Sequence, residues 1–529
     1  MPSYHPIIYV RGYAMTEGER DETTADPFCG FNLGSTVYRA SPDKKEKPRK
    51  FVFESPVLRL IKDHQYETVI ENGMDLMDEG WNGKVPERSI IIFRYYEQAS
   101  GLLGTGKTLS VIEFAQQLQE LIRKLQEKVC ATTGMAKADF RCHLVAHSMG
   151  GLVCRAFLQN DKCGTPATRK LVDKYFTYAT PHNGIDMVGM NVPSWLGLND
   201  LNNFNREAMR SYLAIDKLNP TGAEKGRADW LQEDKFPSRR VFCLIGSNRG
   251  DYEVAMGISR TFAGNGSDGL VKIQNASVWG VKANGDISQP CATAFVYRAH
   301  SGYFGIVNSE ESYQNLTRFL FGDLRIDIWF DIDEVQVPDE LRADDLKGKV
   351  DALYQFELAV SPRGKPWSLT RRKAEEDSPA CRRHRDLRTG KSSKRVYLST
   401  SFLSSSAKVE GRDDPTSPFN FRIALGIRVP DYIKDRTFWV DGHFEGGYLF
   451  QDGLTLSIAR PDPATPNGKW SVSYDWERDH IGPATTPADP AELKRKDGKI
   501  IISVPVSADR EDDHPSITGT LRFEVSAWE

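Results

Sequence analysis

FRCHLVAHSMGGLVCRAFLQ, Phe140 to Gln159, is the stretch on which the reading of this chain turns. Its first half, His143 to Ala146, is a short apolar run of the kind that makes a buried strand. Gly151 to Leu158 then carry apolar residues at helical spacing. Ser148 falls at the turn between the two, where its hydroxyl stands clear of both elements. The pentapeptide Ala146-His147-Ser148-Met149-Gly150 is a variant of G-x-S-x-G with alanine in the first position, still small enough for strand and helix to approach closely. By itself the pentapeptide reads equally well as an ordinary turn serine. Residues farther along the chain separate the two readings. An acyl-transfer elbow of this kind is succeeded by an acid and then by a histidine, and Asp268 and His300 occur in that order.

Upstream of the elbow, His5 to Val10 is a β-forming run ended by Arg11-Gly12-Tyr13. The backbone N–H groups of Tyr13 and Met149 are the two expected oxyanion donors. Residues 14–86 mix charge, glycine and proline and read as a cap insertion, with short helices expected at Pro56 to Lys62 and Asn72 to Met77. Arg88 to Tyr96 is a second strand, and Leu109 to Val129 a helix with one apolar stripe. Between them Gly101 to Thr108 matches G-x-x-x-x-G-K-[ST], a loop that cradles phosphates with its backbone N–H groups. The acidic Mg²⁺ partner of such a loop is missing from the end of the next strand, which carries the serine elbow instead.

Downstream, Lys174 to Ala179 is a strand and residues 184–237 a second insertion with scattered aromatic and aliphatic side chains, which reads equally well as helices presented to an apolar substrate and as an ordinary packed helical insertion. Arg240 to Ile245 and Phe295 to Arg298 are further strands, and Ser309 to Phe321 is a closing helix. Asp268 sits in Ser267-Asp268-Gly269, whose small neighbours let its carboxylate approach another side chain, and His300 comes just after the last strand. His182 competes as the base but precedes Asp268 and breaks the chain order.

Over roughly residues 5–322 the chain resembles the lipase-like α/β-hydrolases, in particular bacterial lipases and related lipid-ester deacylases. The matching pieces are YVRGY at 9–13, VAHSMGG at 145–151, YATPHNG at 178–184, SDGLV at 267–271 and AHSG at 299–302. The resemblance implies an α/β fold with a mostly parallel sheet and helices on both faces. It also implies Ser148 as nucleophile, Asp268 as orienting acid, His300 as base, and Tyr13 with Met149 as oxyanion donors. These lipases carry histidine where this chain has Arg11, a departure at the oxyanion loop that would bring positive charge toward an anionic headgroup.

From Leu324 the pattern changes to eight short alternating runs separated by glycine and proline turns, which reads as a β-sandwich. The expected organisation is therefore 1–323, an α/β-hydrolase domain with insertions at 14–86 and 184–237, and then 324–529, an accessory β domain. Within the latter, Arg371 to Arg395 holds ten arginines and lysines against four acids and reads as a solvated loop, with contact to phosphate headgroups or nucleic acid as the alternative.

Composition narrows the remaining classes. In 529 residues, 40% are hydrophobic and 27% charged, with a net charge of -3, which gives no case for a nucleic-acid partner. The N-terminus lacks the pattern of a secretory signal, no window of about 20 apolar residues occurs, and the eight cysteines are scattered without C-x-x-C pairs, so a cytoplasmic protein with reduced core thiols is expected. The expected activity is hydrolysis of carboxyl esters of lipids, as a lipase, esterase or phospholipase A, through a Ser-His-Asp triad and an acyl-enzyme. That chemistry needs no metal or organic cofactor. Peripheral contact with a membrane surface fits this substrate class, and the oligomeric state is not legible. Two alternatives stand beside it: a nucleotide-binding protein using Gly101 to Thr108, and a catalytically silent hydrolase fold that only binds.

Overall fold

The computed structural model describes residues 4–12, 25–39, 45, 47–71, 73–95, 110–187, 190–191, 204–221, 223–250, 266–390, 393–404, 418–434, 442–459, 471–480, 488–507 and 514–529. The described chain divides into two units, Met1–Thr293 with Tyr297–Phe321, and Ala294–Val296 with Gly322–Glu529.

The site is carried by a seven-stranded sheet. Its strands are β1 (Ile7–Arg11), β2 (Glu67–Thr68), β3 (Ser89–Ile92), β4 (Cys142–His147), β5 (Val172–Tyr178), β6 (Val241–Gly246) and β7 (Ala292–Val296), in the order β7-β6-β5-β4-β1-β3-β2. The pairings from β2 through to β6 are parallel, and β1 lies against β4 with Arg11 opposite His147. Ile7 to Val10 and Cys142 to Ala146 are completely buried, as expected of parallel strands covered on both faces. That double burial is why β4 reads as a continuous apolar run rather than an alternating one.

The long helices in the described connections of this sheet are α1 (Val111–Thr133), α2 (Met149–Gln159) and α3 (Glu310–Phe321). α1 opens on a capping box, in which Ser110 Oγ accepts from the Glu113 N–H and Glu113 Oε2 accepts from the Ser110 N–H. It runs on to Thr133, four residues past the expected end, because the terminating residue is Gly134 in the left-handed conformation. The apolar stripe Val111, Phe114, Ala115, Leu118, Leu121, Ile122, Leu125 and Val129 is buried.

Two expectations in the first insertion part company. Pro56–His64 is a helix, capped by Ser55, whose hydroxyl accepts from the Leu58 N–H. The described part of Asn72 to Met77 is turns instead. The Asp75 and Asp78 carboxylates accept from the Met77 and Asp75 N–H groups and so compete with helical pairing. In the second insertion, the α-helix among the described residues is Arg206–Tyr212. Trp230–Gln232 pairs as a strand with Trp279–Val281.

The C-terminal unit is antiparallel. One sheet of five strands runs in the order Arg395–Leu403, Leu324–Gln336, Ser516–Ala527, Lys499–Ser507, Glu492–Lys496. A second is built on the long strands Val350–Pro362, Phe419–Lys434 and Gly442–Ala459. Ile328, Phe330, Phe356, Leu358, Ile427, Leu454, Val504 and Phe523, drawn from both sheets, belong to one buried apolar cluster. The described part of Arg371 to Arg395 is not the solvated loop its charge suggests. It forms strand Ala380–Arg383 and helix His384–Arg388, and its cations are spent internally: Arg371 on Glu376, Lys373 on Glu357, Arg385 on Asp351 and Arg388 on Asp345. A charge count along the sequence cannot see the partners Glu357, Asp351 and Asp345 supplied by other elements.

All eight cysteines are unbridged. Among the described residues no helix is long and apolar enough to cross a membrane.

Candidate functional site

β4 ends at His147 and α2 begins at Met149, which leaves Ser148 alone in the connection with φ 54° and ψ −131°. A non-glycine residue held there costs on the order of 1–3 kcal/mol, tolerated only where the surroundings over-determine it. They do so here. Ser148 N–H donates to the Tyr178 carbonyl at 3.0 Å, the Gly151 N–H donates to the Ser148 carbonyl at 3.0 Å, and the Gly12 N–H donates to the His147 carbonyl at 2.8 Å. Packing explains the two glycines after Met149. A Cβ on Gly150 would collide with the Val10 carbonyl, and one on Gly151 with the Thr180 side chain. Gly12 meets the same constraint from the other side, since a Cβ there would collide with the Met149 backbone nitrogen. Met149 is the first residue of α2, so its N–H belongs to the group of orphan donors at a helix start.

Asp268 lies in a tight loop after the end of β6. A side chain on Gly246, the last residue of β6, would meet the Asp268 Cβ, so glycine there admits the acid. The two carboxylate oxygens have separate duties. Oδ1 accepts from the Leu270 and Val271 N–H groups at 3.0 and 2.8 Å, while Oδ2 meets His300 Nδ1 at 2.9 Å. The His300 N–H donates to the Asp268 carbonyl at 2.9 Å, tying backbone to backbone, and His300 Nε2 lies 3.0 Å from Ser148 Oγ. Ser148, Asp268 and His300 are 4%, 1% and 2% exposed, so the whole chain of contacts is shielded from water. In that environment a carboxylate, an imidazole and a hydroxyl in line can pass the hydroxyl proton to the ring while the acid stabilises the resulting imidazolium.

The structure therefore brings three of the expected site residues together, Ser148, Asp268 and His300, and puts the fourth, Met149, at the start of the helix beside them. Tyr13 and Gly101 to Thr108 lie outside the described residues. His182 stands apart from the serine: its Nε2 is 3.3 Å from Thr177 Oγ1 and its carbonyl accepts from Arg155. One neighbour of the site went unread in the sequence. His147 Nε2 lies 2.8 Å from the His300 carbonyl, and the two imidazole centroids are 4.9 Å apart. It occupies a variable position of the serine pentapeptide, and its place one before Ser148 was the available signal.

Burial pushes the ring pKa values of His143, His147 and His182 well below the usual histidine value, with the nearby charges of Lys174, Arg11 and Arg155 respectively acting in the same direction. These rings are neutral in the folded protein, whereas in the unfolded chain they take up protons below about pH 6.5. The unfolded state then binds more protons, so stability is expected to fall as pH drops from about 6.5 toward the depressed folded values. Urea midpoints compared at pH 7.5 and pH 5 check this; an unchanged midpoint would refute it.

No family model matches this chain, and no curated protein matches it.

Proposed function

We propose that this protein is a serine hydrolase of α/β-hydrolase type that cleaves carboxyl esters of lipids. The observation that carries the reading is the unbroken buried line from Ser148 Oγ through His300 to Asp268, with contacts of 3.0 and 2.9 Å. In this reading His300 Nε2 takes the Ser148 proton as Oγ attacks the ester carbonyl. Asp268 Oδ2 holds the Nδ1–H and with it the tautomer that leaves Nε2 free to accept. The Met149 N–H, at the positive end of α2, stabilises the developing oxyanion, and the expected second donor is the Tyr13 N–H. The alcohol leaves with the proton from His300. Water, activated by the same ring, then releases the acid from the acyl-enzyme. The lipid part of the proposal rests on the sequence resemblance, since pocket shape is set by the insertions.

The test is a fluorophosphonate probe and then a panel of soluble esters, triglycerides and phospholipids. One labelled residue, Ser148, is expected, with no label on Ser148→Ala and turnover of at least one ester class. Absence of label from the folded wild type would refute the proposal, because an unactivated serine reacts poorly with such probes.

A further inference from the structure

We propose that His147 is a positioning residue for the His300 base: by donating Nε2–H to the His300 backbone carbonyl it fixes the imidazole between Ser148 and Asp268. This rests on the reading of Ser148, His300 and Asp268 given above. A carbonyl can only accept, so the 2.8 Å contact requires the proton of His147 to be on Nε2. Burial disfavours a second proton on the ring, which leaves a lone pair on Nδ1, a buried atom without a hydrogen-bond partner among the described residues. An unsatisfied buried nitrogen costs about 1–3 kcal/mol.

His147 holds the carbonyl of His300 where the chain leaves the core. Beyond His300 the chain turns directly into solvent, with Gly302 at φ 87° and Tyr303 71% exposed. His300 itself is buried, held by Asp268 at its N–H and Nδ1 and by His147 at its carbonyl. His147 meets the carbonyl from a strand held by β1 and β5, and its ring centroid lies 4.9 Å from that of His300. Neutrality also matters. Burial, then Arg11, then His300 itself disfavour a charge on His147, so the clamp adds no second cation beside a base that becomes an imidazolium during reaction.

The variants that separate positioning from mere packing are His147→Gln, His147→Asn and His147→Phe. The amide nitrogen of glutamine reaches the position of Nε2, that of asparagine only the position of Nδ1, and phenylalanine keeps the volume without a donor. On a soluble ester, His147→Phe and His147→Asn are expected to lose about ten- to hundredfold in kcat with KM within about twofold, while His147→Gln recovers most of the loss. Equal kcat in the glutamine and asparagine variants would overturn the proposal. Should His147→Phe fail to fold, the two polar variants still carry the comparison. Histidine ¹⁵N spectra provide a readout independent of turnover. The wild type is expected to show His147 as the Nε2–H tautomer, with His300 ring shifts that move in His147→Asn and not in His147→Gln; unmoved His300 shifts would overturn the clamp. A wild type that neither takes the fluorophosphonate nor hydrolyses any ester would instead refute the hydrolase reading, a distinct result.

Discussion

Asp268→Asn is expected to lower kcat about ten-thousandfold while leaving the protein folded. The magnitude comes from which oxygen does what. Oδ1 accepts from two backbone N–H groups, Leu270 and Val271, and only an oxygen can do so. An asparagine is therefore forced to keep its oxygen there and to present its NH₂ where Oδ2 now meets His300 Nδ1. That NH₂ donates to Nδ1, so the ring must carry its own proton on Nε2, and it then points a hydrogen at Ser148 Oγ instead of a lone pair. The base cannot accept. Because the loop keeps its two backbone bonds, thermal stability should change by only a few degrees. Steady-state kinetics on a soluble ester with circular dichroism on the same samples check both halves. A variant with wild-type kcat would remove Asp268 from the mechanism.

Arg155→Met is expected to destabilise the protein by about 3 kcal/mol or more, a large share of a total that rarely exceeds about 15. Arg155 sits on α2, completely buried. Its guanidinium donates to Gln159 Oε1 at 3.0 Å and to the carbonyls of His182, Ala228 and Trp230 at 2.9, 3.0 and 2.9 Å. Two effects oppose each other on substitution. Losing the buried charge relieves a desolvation cost, visible in the lowered pKa of this guanidinium. Against that, three main-chain carbonyls lose a charged donor, each worth about 1.5–3 kcal/mol, and the second effect is the larger. Lysine does not rescue, since one ammonium cannot reproduce the fork. The loss should appear first in the second insertion, which Arg155 ties to α2, so limited proteolysis within 204–237 should accelerate before the urea midpoint is reached. Unchanged midpoint and cleavage would refute the account.

These two residues were unequally legible. Asp268 could be found because its signal is local: small neighbours, a tight loop and a place in chain order between Ser148 and His300. Arg155 could not. Within its helix it looks like one cation among apolar residues, and its partners at 182, 228 and 230 are chosen by how the second insertion folds back. His147 is the same case, hidden inside the serine motif until the His300 loop arrived beside it. The basic run at 371–395 misled for a related reason, because Glu357, Asp351 and Asp345, which neutralise it, lie on earlier elements. Asn72 to Met77 misled through competition within the segment itself, where aspartate side chains took the backbone N–H groups a helix would have needed.

What the amino-acid sequence determined by itself is therefore the local part: continuous apolar runs that become buried parallel strands, an apolar stripe that marks α1, and a glycine at 150 that lets the elbow pack against β1. Hydrophobic periodicity and turn chemistry act over a few residues, so they can be read in a line. Tertiary structure decided the polar partnerships, joining Ser148 to His300 across 152 positions and choosing carbonyls for Arg155 and His147. A buried donor must find an acceptor wherever the packed chain supplies one, and that supply exists only after the strands have come together.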